Sequence, residues 1–235
     1  MLVEICANSF QSAINAEKAG AHRIELCSEL AVGGITPSYG LLKKVMRELT
    51  IPVHALVRPR SGDFTFSDDE FEIIKEDILI CKELGVAGIV SGVLHTNNTI
   101  DYERTQKLIE LSKPLHFAFH RAFDCVPNPK EALQKLSDLG VQTILTSGQQ
   151  AKAENGLALL KVLQEIAGDK LTILAGGGIN PENIQLFKEA GLNAVHASAS
   201  KVIQTNENDS YFGQTPQTVS DIDIIQQLLK SMIDA

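Results

Sequence analysis

The sequence AGAHRIELC at residues 19–27 returns as a pattern three more times, as LGVAGIVSG at 84–92, LGVQTILTS at 139–147 and AGLNAVHAS at 190–198. Each copy places a glycine at the end of a helical pattern and a short β-rich run directly behind it. A glycine at that point suits the left-handed residue with which many helices end. The repeat therefore predicts helix–strand units spread over the whole chain.

Strand alternation decides which side chains of the repeat share a face. We expect the fourth position after each glycine to face the helices, and the fifth and seventh to face the interior, towards the carboxyl end of the strand. The fourth-position residues are Ile24, Ile89, Ile144 and Val195, the fifth-position residues are Glu25, Val90, Leu145 and His196, and the seventh-position residues are Cys27, Gly92, Ser147 and Ser198.

Short β-rich runs alternate with helical patterns along the chain. Strands are predicted at 2–6, 22–26, 53–58, 88–91, 115–119, 143–146, 171–175 and 194–197, and helices near 9–19, 38–49, 68–83, 101–112, 128–138, 152–167, 181–190 and 219–233. Eight strands and eight helices in 235 residues predict an α/β protein, a (β/α)8 TIM barrel with a single domain over residues 1–235. A doubly wound open sheet is disfavoured because no GxGxxG follows the first strand.

Composition limits the classes of partner. The chain is 44% hydrophobic, and its 21 Lys and Arg against 29 Asp and Glu give a formal charge of −8. This acidic balance predicts that neither nucleic acid nor an anionic membrane is a partner. No apolar run reaches the roughly 20 residues of a membrane span, and no leader pattern is visible, so we expect a cytoplasmic protein.

Polar residues gather where the predicted strands end, which is the functional mouth of a (β/α)8 barrel. The first two strands share one signature, in Glu4-Ile5-Cys6 and Glu25-Leu26-Cys27. The further residues of the predicted mouth are Arg58, Arg60, His120, Arg121, Asp124, Ser147, Gly177, Gly178, His196 and Ser198.

Two carboxylates on neighbouring strands suit acid and base roles when their surroundings separate their pKa values. Glu25 is therefore a predicted catalytic residue, with Glu4 in support. The structural alternative is an internal ion pair between these glutamates and an arginine of the mouth, because a buried carboxylate needs a partner. His120, flanked by Arg121 and within reach of Asp124, is a predicted general base, and Asp124 is predicted to share the acid and base roles. A loop salt bridge is the structural alternative for these last three residues.

Positive charge at the mouth comes from Arg58, Arg60 and Arg121. Arg58 and Arg121 are also the candidate partners for an internal ion pair with the two glutamates. Gly177 and Gly178 belong to a Gly-Gly-Gly run after the seventh strand, where barrels often bind phosphate through backbone N–H groups. These features predict a small anionic or phosphorylated substrate. The remaining predicted binding residues are Ser147, His196 and Ser198.

The four cysteines, at positions 6, 27, 81 and 125, form no CxxC pair, so neither a zinc knuckle nor a redox dithiol is indicated. Cys6 and Cys27 occupy equivalent places on neighbouring strands, which lie about 4.8 Å apart. Two such thiols could hold one monovalent copper ion, which thiolates favour and which needs few ligands. Packing as small apolar side chains is the alternative.

Six segments, IELCS, GGITPSYG, VRPRSGDF, FHRAFD, ILTSG and GGGI, follow one another over more than four-fifths of the chain. With them the chain resembles the copper homeostasis protein CutC family. The resemblance implies a TIM barrel, a cytoplasmic setting, a role in copper homeostasis and assembly into dimers or tetramers. It also implies that Cys6 and Cys27 bind copper(I). Segment 201–221 departs from the basic stretch usual in the family.

Three functions remain open from the sequence. The first is copper homeostasis through copper(I) bound at the mouth, and the second is a metal-independent TIM-barrel enzyme that acts on a small anionic substrate by acid–base chemistry. The third, an inert scaffold, is disfavoured because apolar side chains would fill a barrel mouth at lower cost in free energy.

Overall fold

Eight parallel strands close into a barrel in the computed structural model, which describes residues 1–204 and 216–232. The strands are β1 (Leu2–Ala7), β2 (Arg23–Leu26), β3 (Val53–Leu56), β4 (Gly88–Ser91), β5 (His116–Phe119), β6 (Thr143–Thr146), β7 (Thr172–Gly176) and β8 (Ala194–Ala197). Each strand pairs with the next, and β8 pairs with β1. The predicted (β/α)8 barrel is confirmed, and the open sheet is excluded.

A helix follows each strand of the barrel. The helices are α1 (Phe10–Ala19), α2 (Tyr39–Glu48), α3 (Asp68–Glu83), α4 (Tyr102–Ser112), α5 (Pro129–Asp138), α6 (Leu157–Ala167), α7 (Ile184–Glu189) and α8 (Ile222–Ser231). Gly20 ends α1 at a φ of 90°, in the left-handed region that the repeat predicts. Ser67 begins α3 with a capping box, in which its hydroxyl accepts from the N–H of Glu70.

Helix α7 begins at Ile184, three residues later than the sequence predicts. The side chain of Asn180 closes a turn here, because its Oδ1 accepts from the backbone N–H groups of Glu182 and Asn183. This local hydrogen bonding competes with the first turn of a helix. Pro181 therefore lies in a turn and not in the first turn of the helix.

A two-stranded antiparallel sheet, β9 (Ser200–Gln204) with β10 (Gln217–Ser220), lies outside the barrel and was not predicted. It is formed by the two ends of segment 200–220. The residues between them, 205–215, lie outside the described residues, as do 233–235 at the end of the predicted last helix.

The apolar core has two compartments. The larger lies between the strands and the helices and contains the fourth-position residues Ile24, Ile89, Ile144 and Val195, all 0% exposed. Each such side chain contributes roughly 1.5–3 kcal/mol of stability through burial. Inside the barrel the apolar groups are smaller, and polar side chains occupy much of the remaining volume.

Glycines on β4 and directly after it make room for two imidazole rings inside the barrel. A Cβ at Gly88 would lie 2.7 Å from the ring of His54, and a Cβ at Gly92 would lie 2.9 Å from the ring of His120. Real side chains do not approach so closely, so these positions require glycine as long as the rings stay in place. The interior polarity is therefore built into the packing of the barrel.

Candidate functional site

Strands β1, β2 and β8 bring four polar side chains together inside the barrel. Cys6 lies level with Glu25 on β2, while Glu4 lies level with His196 on β8. Because neighbouring strands are about 4.8 Å apart, these side chains meet in one patch near the C-terminal mouth. The inward orientation predicted for both Glu-x-Cys strands is confirmed by their mutual contacts.

Glu4 is the buried ionic centre of this patch, with an exposed fraction of 1%. Its Oε2 lies 2.5 Å from Nε of Arg23 and 3.7 Å from Nδ1 of His54, and its Oε1 lies 2.7 Å from Nδ1 of His196. Burial raises the pKa of the Glu4 carboxyl, but the hydrogen bond and charge of His196, with Arg23 and His54, outweigh burial and lower this pKa to about 2. Glu4 therefore does form an internal ion pair, but with Arg23 instead of the predicted Arg58 or Arg121.

Glu25 has a different environment although it is similarly enclosed, at 4% exposed. Its Oε1 accepts from the Cys6 thiol at 3.7 Å, and no Lys or Arg of the described residues forms a salt bridge with it. Burial raises the pKa of Glu25 to about 7, with the neighbouring charge of Glu4 adding to the rise and His196 opposing it. The two glutamates therefore hold their protons over widely different pH ranges.

His196 links the two glutamates electrostatically. Burial alone would lower the pKa of its imidazole, but the charge of Glu25 and the hydrogen bond and charge of Glu4 outweigh burial and raise it. An ionised Glu4 accepts the Nδ1 proton and fixes the orientation of the ring, since a carboxylate can only accept. His196 and Glu25 thus form a largely enclosed pair, in which Glu25 can hold and release a proton near neutral pH.

The thiols of Cys6 and Cys27 lie side by side, with their Sγ atoms 3.7 Å apart. The contact with Cys27, together with burial, raises the pKa of the Cys6 thiol well above its ordinary value. Ligand atoms of Cys6, Glu25 and His196 also lie within 4.8 Å of one another. The patch therefore offers two sulfur donors and an adjacent nitrogen and oxygen donor.

A pocket of about 460 Å³ opens above this patch. That volume is typical of a small-molecule site. Of the residues predicted for the mouth, its lining includes Cys6, Glu25, Arg58, His120, Arg121, Asp124, Gly177, Gly178, His196 and Ser198. Glu4, Cys27, Arg60 and Ser147 are outside the lining. The structure thus brings ten of the fourteen predicted site residues to one pocket.

Asp124 braces the loops of the mouth. Its carboxylate accepts from the backbone N–H groups of Ser147 and Gln149, from the Thr146 hydroxyl at 2.5 Å and from Nε of Arg121 at 2.8 Å. These contacts occupy the carboxylate oxygens, so Asp124 is poorly suited to the proton transfer predicted for it. Arg121 also donates from Nη2 to the Ser147 hydroxyl at 2.8 Å, and its side chain is 42% exposed.

Arg58 is buried at 5% exposed, and its guanidinium holds two loops together. It donates to the backbone carbonyls of Val32, Gly34 and Gly62 and packs against the ring of Phe64. These three bonds fix the wall of the pocket, while the buried Nε of Arg58 has no hydrogen-bond partner among the described residues.

Arg60 is committed elsewhere as well. Its guanidinium pairs with Glu70 at the start of α3 and with Asp63 of the same loop. Because Arg60 also lies outside the pocket lining, Arg121 is the predicted arginine that combines exposure with a place in the pocket.

His120 follows β5 and is 5% exposed. Burial, assisted by the nearby positive charge of Arg58, lowers its pKa to about 3. A group with so low a pKa is a weak base at neutral pH. The general-base role predicted for His120 therefore fits Glu25 or His196 better.

Two residues of the buried network, Arg23 and His54, were not predicted from the sequence. Each precedes another inward residue by two positions, Glu25 on β2 and Leu56 on β3, so strand alternation places them inside the barrel. That signal was available, but the predicted mouth included neither residue. His54 is stacked on His116 at a centroid distance of 5.0 Å.

Comparison with known proteins adds to this geometry. The CutC family model matches residues 1–201. The chain belongs to the CutC family. A CutC-family protein of Yersinia enterocolitica is 46% identical over 222 residues, which cover 94% of this chain and 87% of that protein.

A solved CutC structure from Streptococcus agalactiae, described as a candidate copper homeostasis protein, has 36% sequence identity and a TM-score of 0.80. The match covers 84% of this chain and 98% of that chain. That description links the CutC family to copper homeostasis. The phosphoribosylanthranilate isomerase of Pyrococcus furiosus matches all of both chains at 15% identity and a TM-score of 0.58, which supports the barrel fold alone.

Within residues 1–204 and 216–232, no helix has the length and apolar character that a membrane crossing requires.

Proposed function

We propose that this CutC-family protein is an enzyme that performs acid–base chemistry on a small anionic molecule bound at the barrel mouth. One observation carries the proposal: ligand atoms of Glu25 and His196 lie within 4.8 Å of each other in the lining of a pocket of about 460 Å³, and Glu25 forms no salt bridge with any Lys or Arg of the described residues. Converging polar groups with perturbed pKa values in a pocket of this size are typical of active sites.

Glu25 and His196 would exchange protons with the substrate, while Glu4 acts as a positioning residue. A carboxyl group with a pKa of about 7 is nearly half ionised at neutral pH, so Glu25 can accept and return a proton. The 2.7 Å contact from Glu4 holds His196 in one orientation and favours its charged form. This division of roles uses the two glutamates for different purposes.

The anionic part of the substrate would bind along the wall formed by the loops after β5, β7 and β8, at Arg121, Gly177, Gly178 and Ser198. Arg121 supplies a partly exposed guanidinium, and the two glycines lie in the loop after β7 at φ values of 115° and 76°. Backbone N–H groups in such loops are common phosphate ligands.

Inorganic phosphate tests this binding wall without knowledge of the substrate. We expect saturable shifts of the Gly177 and Gly178 amide resonances in NMR spectra, with a Kd below roughly 10 mM. Arg121→Gln should weaken binding about tenfold. Arg60→Gln is the matched control, because Arg60 is outside the lining, and it should bind as the parent does. Absence of saturation, or equal effects of the two variants, would contradict the proposal.

Copper(I) binding is a second candidate function, and the 3.7 Å separation of the Cys6 and Cys27 Sγ atoms favours it. If one ion were bonded to both sulfurs at about 2.3 Å, the sulfur–ion–sulfur angle would be roughly 107°. That bent arrangement calls for a third ligand, and Glu25 and His196 lie next to Cys6. Copper homeostasis is also the role to which the description of the S. agalactiae relative refers.

Paired cysteine variants test copper binding directly. We expect the parent to take up one copper(I) per chain in competition with a chromophoric chelator under reducing conditions. Cys6→Ala/Cys27→Ala should lose this uptake, and Cys81→Ala/Cys125→Ala, the matched control, should keep it. Equal uptake by both double variants would eliminate the site.

A cytoplasmic setting and a homo-oligomeric state, a dimer or a tetramer, are part of the proposal and rest on the family resemblance. Light scattering coupled to size-exclusion chromatography measures the assembly, and a monomer at micromolar concentration would overturn that part.

A further inference from the structure

His120 has a hydrogen-bonding arrangement that neither proton transfer nor copper binding uses. Its ring fits into the space left by Gly92 and lies between Phe64 and Phe119, at centroid distances of 4.8 and 5.9 Å. The backbone N–H of Ala122 donates to Nδ1 at 3.3 Å. Nδ1 is therefore an acceptor, and a neutral ring with an accepting Nδ1 carries its proton on Nε2.

The Nε2 atom of His120 is buried and has no hydrogen-bond partner among the described residues. A buried N–H donor without an acceptor costs free energy, so such groups call for a functional explanation. Arg58 is the charged group that lowers the His120 pKa, but it is a cation and cannot accept a hydrogen bond from Nε2. The ring nevertheless lines the pocket that contains Glu25 and His196.

We propose that His120 donates a hydrogen bond from Nε2 to the carbonyl oxygen of the substrate. The substrate class is then a small carbonyl compound with an anionic group, such as a phosphorylated hydroxy-ketone or hydroxy-aldehyde. This inference rests on the proposed function, because it uses the same pocket, and it adds the substrate class and the role of His120.

A neutral imidazole donor suits an oxygen that gains negative charge during the reaction. When a base removes the proton from the carbon next to the carbonyl group, the C–H electron pair forms the new C=C bond. The carbonyl π electrons then move to the oxygen, which accepts the His120 hydrogen bond as an enolate. Return of the proton to its original carbon is an exchange. Its delivery to the former carbonyl carbon, with the proton of the neighbouring hydroxyl group moving to the enolate oxygen, completes an isomerisation. Neither outcome needs an oxidant or a further reactant.

Ligand access to His120 requires a side-chain movement, because Nε2 has no contact with solvent in this structure. Phe64 is the pocket-lining side chain whose ring lies tilted against the imidazole, at a centroid distance of 4.8 Å, and it lies in the loop after β3. We expect its ring to turn away when a ligand binds.

The first test uses the unmodified protein and ¹⁵N-resolved NMR of the histidine rings. The expected result for His120 is the Nε2–H tautomer from pH 5 to 9. Titration with 2-phosphoglycolate, whose planar carboxylate resembles an enolate, should move the His120 Nε2–H proton resonance downfield. A protonated Nδ1, or a resonance that stays in place at saturation, would overturn the inference.

The second test compares two variants with the same probe. His120→Leu should weaken 2-phosphoglycolate binding about tenfold or more, whereas His120→Gln, which keeps an uncharged N–H donor, should recover part of the loss. Equal affinities of the parent and His120→Leu would contradict the inference. If phosphate still binds in an Arg121-dependent manner, only the inference about His120 fails; if neither ligand binds, the proposed function fails with it.

Discussion

Glu4 Oε1 lies 2.7 Å from Nδ1 of His196, and this contact joins the first strand of the barrel to the last. The same carboxylate binds Arg23 through its other oxygen at 2.5 Å. The buried Glu4 carboxylate on β1 thus binds side chains of both neighbouring strands, β2 and β8, and orients the imidazole that faces the pocket.

Replacing this anion should be costly. Glu4→Gln leaves Arg23 without its carboxylate partner in a site where the side chain is only 11% exposed, so we expect a loss of about 3 kcal/mol or more in the free energy of unfolding. The pKa of His196 should fall at the same time. Urea denaturation and NMR titration measure the two effects. Glu48→Gln, which removes an exposed ion pair on α2, is the control and should change stability little.

Acid should destabilise the barrel through its buried neutral histidines. Burial is the first cause that lowers the pKa of His54 and His116 to about 4 each, from 6.5. Between these values the unfolded chain binds protons that the folded chain does not, so these two histidines lower the stability as the pH decreases from about 6.5 to 4. His54→Gln should make this fall shallower, and His95→Gln, at an exposed site, should not. A slope that His54→Gln leaves unchanged would refute this assignment.

Glu25 changes the stability with pH in the opposite direction to the histidines. Its pKa is raised from 4.5 to about 7, so the unfolded chain releases this proton first as the pH rises, and the group destabilises the fold progressively across that range. Glu25→Gln removes the effect. Its stability relative to the parent should therefore increase by up to roughly 3 kcal/mol between pH 4.5 and 7 and stay constant above. A difference that does not depend on pH would contradict the raised pKa.

Packing around the imidazoles gives a further prediction. Gly92→Ala places a Cβ 2.9 Å from the ring of His120 and should destabilise the protein by about 1–3 kcal/mol. Gly40→Ala is the control: this glycine lies in α2, a Cβ added there would have no neighbour within 4 Å, and alanine should stabilise by roughly 0.5–1 kcal/mol. Thermal unfolding distinguishes the two, and a neutral Gly92→Ala would show that the ring moves freely.

Much of the fold could be predicted because its signals are local. The glycine at the end of a helix and the alternation of the following strand need no knowledge of distant residues, and they correctly place Glu25 and His196 inside the barrel. Partner choice is different. Glu4 binds Arg23 instead of Arg58 because the register of β1 against β2 sets them level, and Arg58 meets three carbonyl groups that only the folded loops assemble.

The role of His120 shows the same limit. Its sequence neighbours, Arg121 and Asp124, suggested a base activated by a carboxylate. In the structure Asp124 turns to the loop after β6, and the charge beside His120 is that of Arg58. The signs of such effects depend on three-dimensional neighbours, so sequence identifies the candidates but not their protonation.

The most direct test of the account is an NMR titration of the Glu25 side-chain carboxyl group with ¹³C-labelled protein. We predict a midpoint near pH 7, with Glu48 in the same spectra titrating below its ordinary pKa because Lys44 and Arg47 bind it. A Glu25 midpoint at or below 4.5 would show that this carboxylate is ionised and paired throughout the physiological range, and would contradict its role as the proton-exchanging group of the pocket.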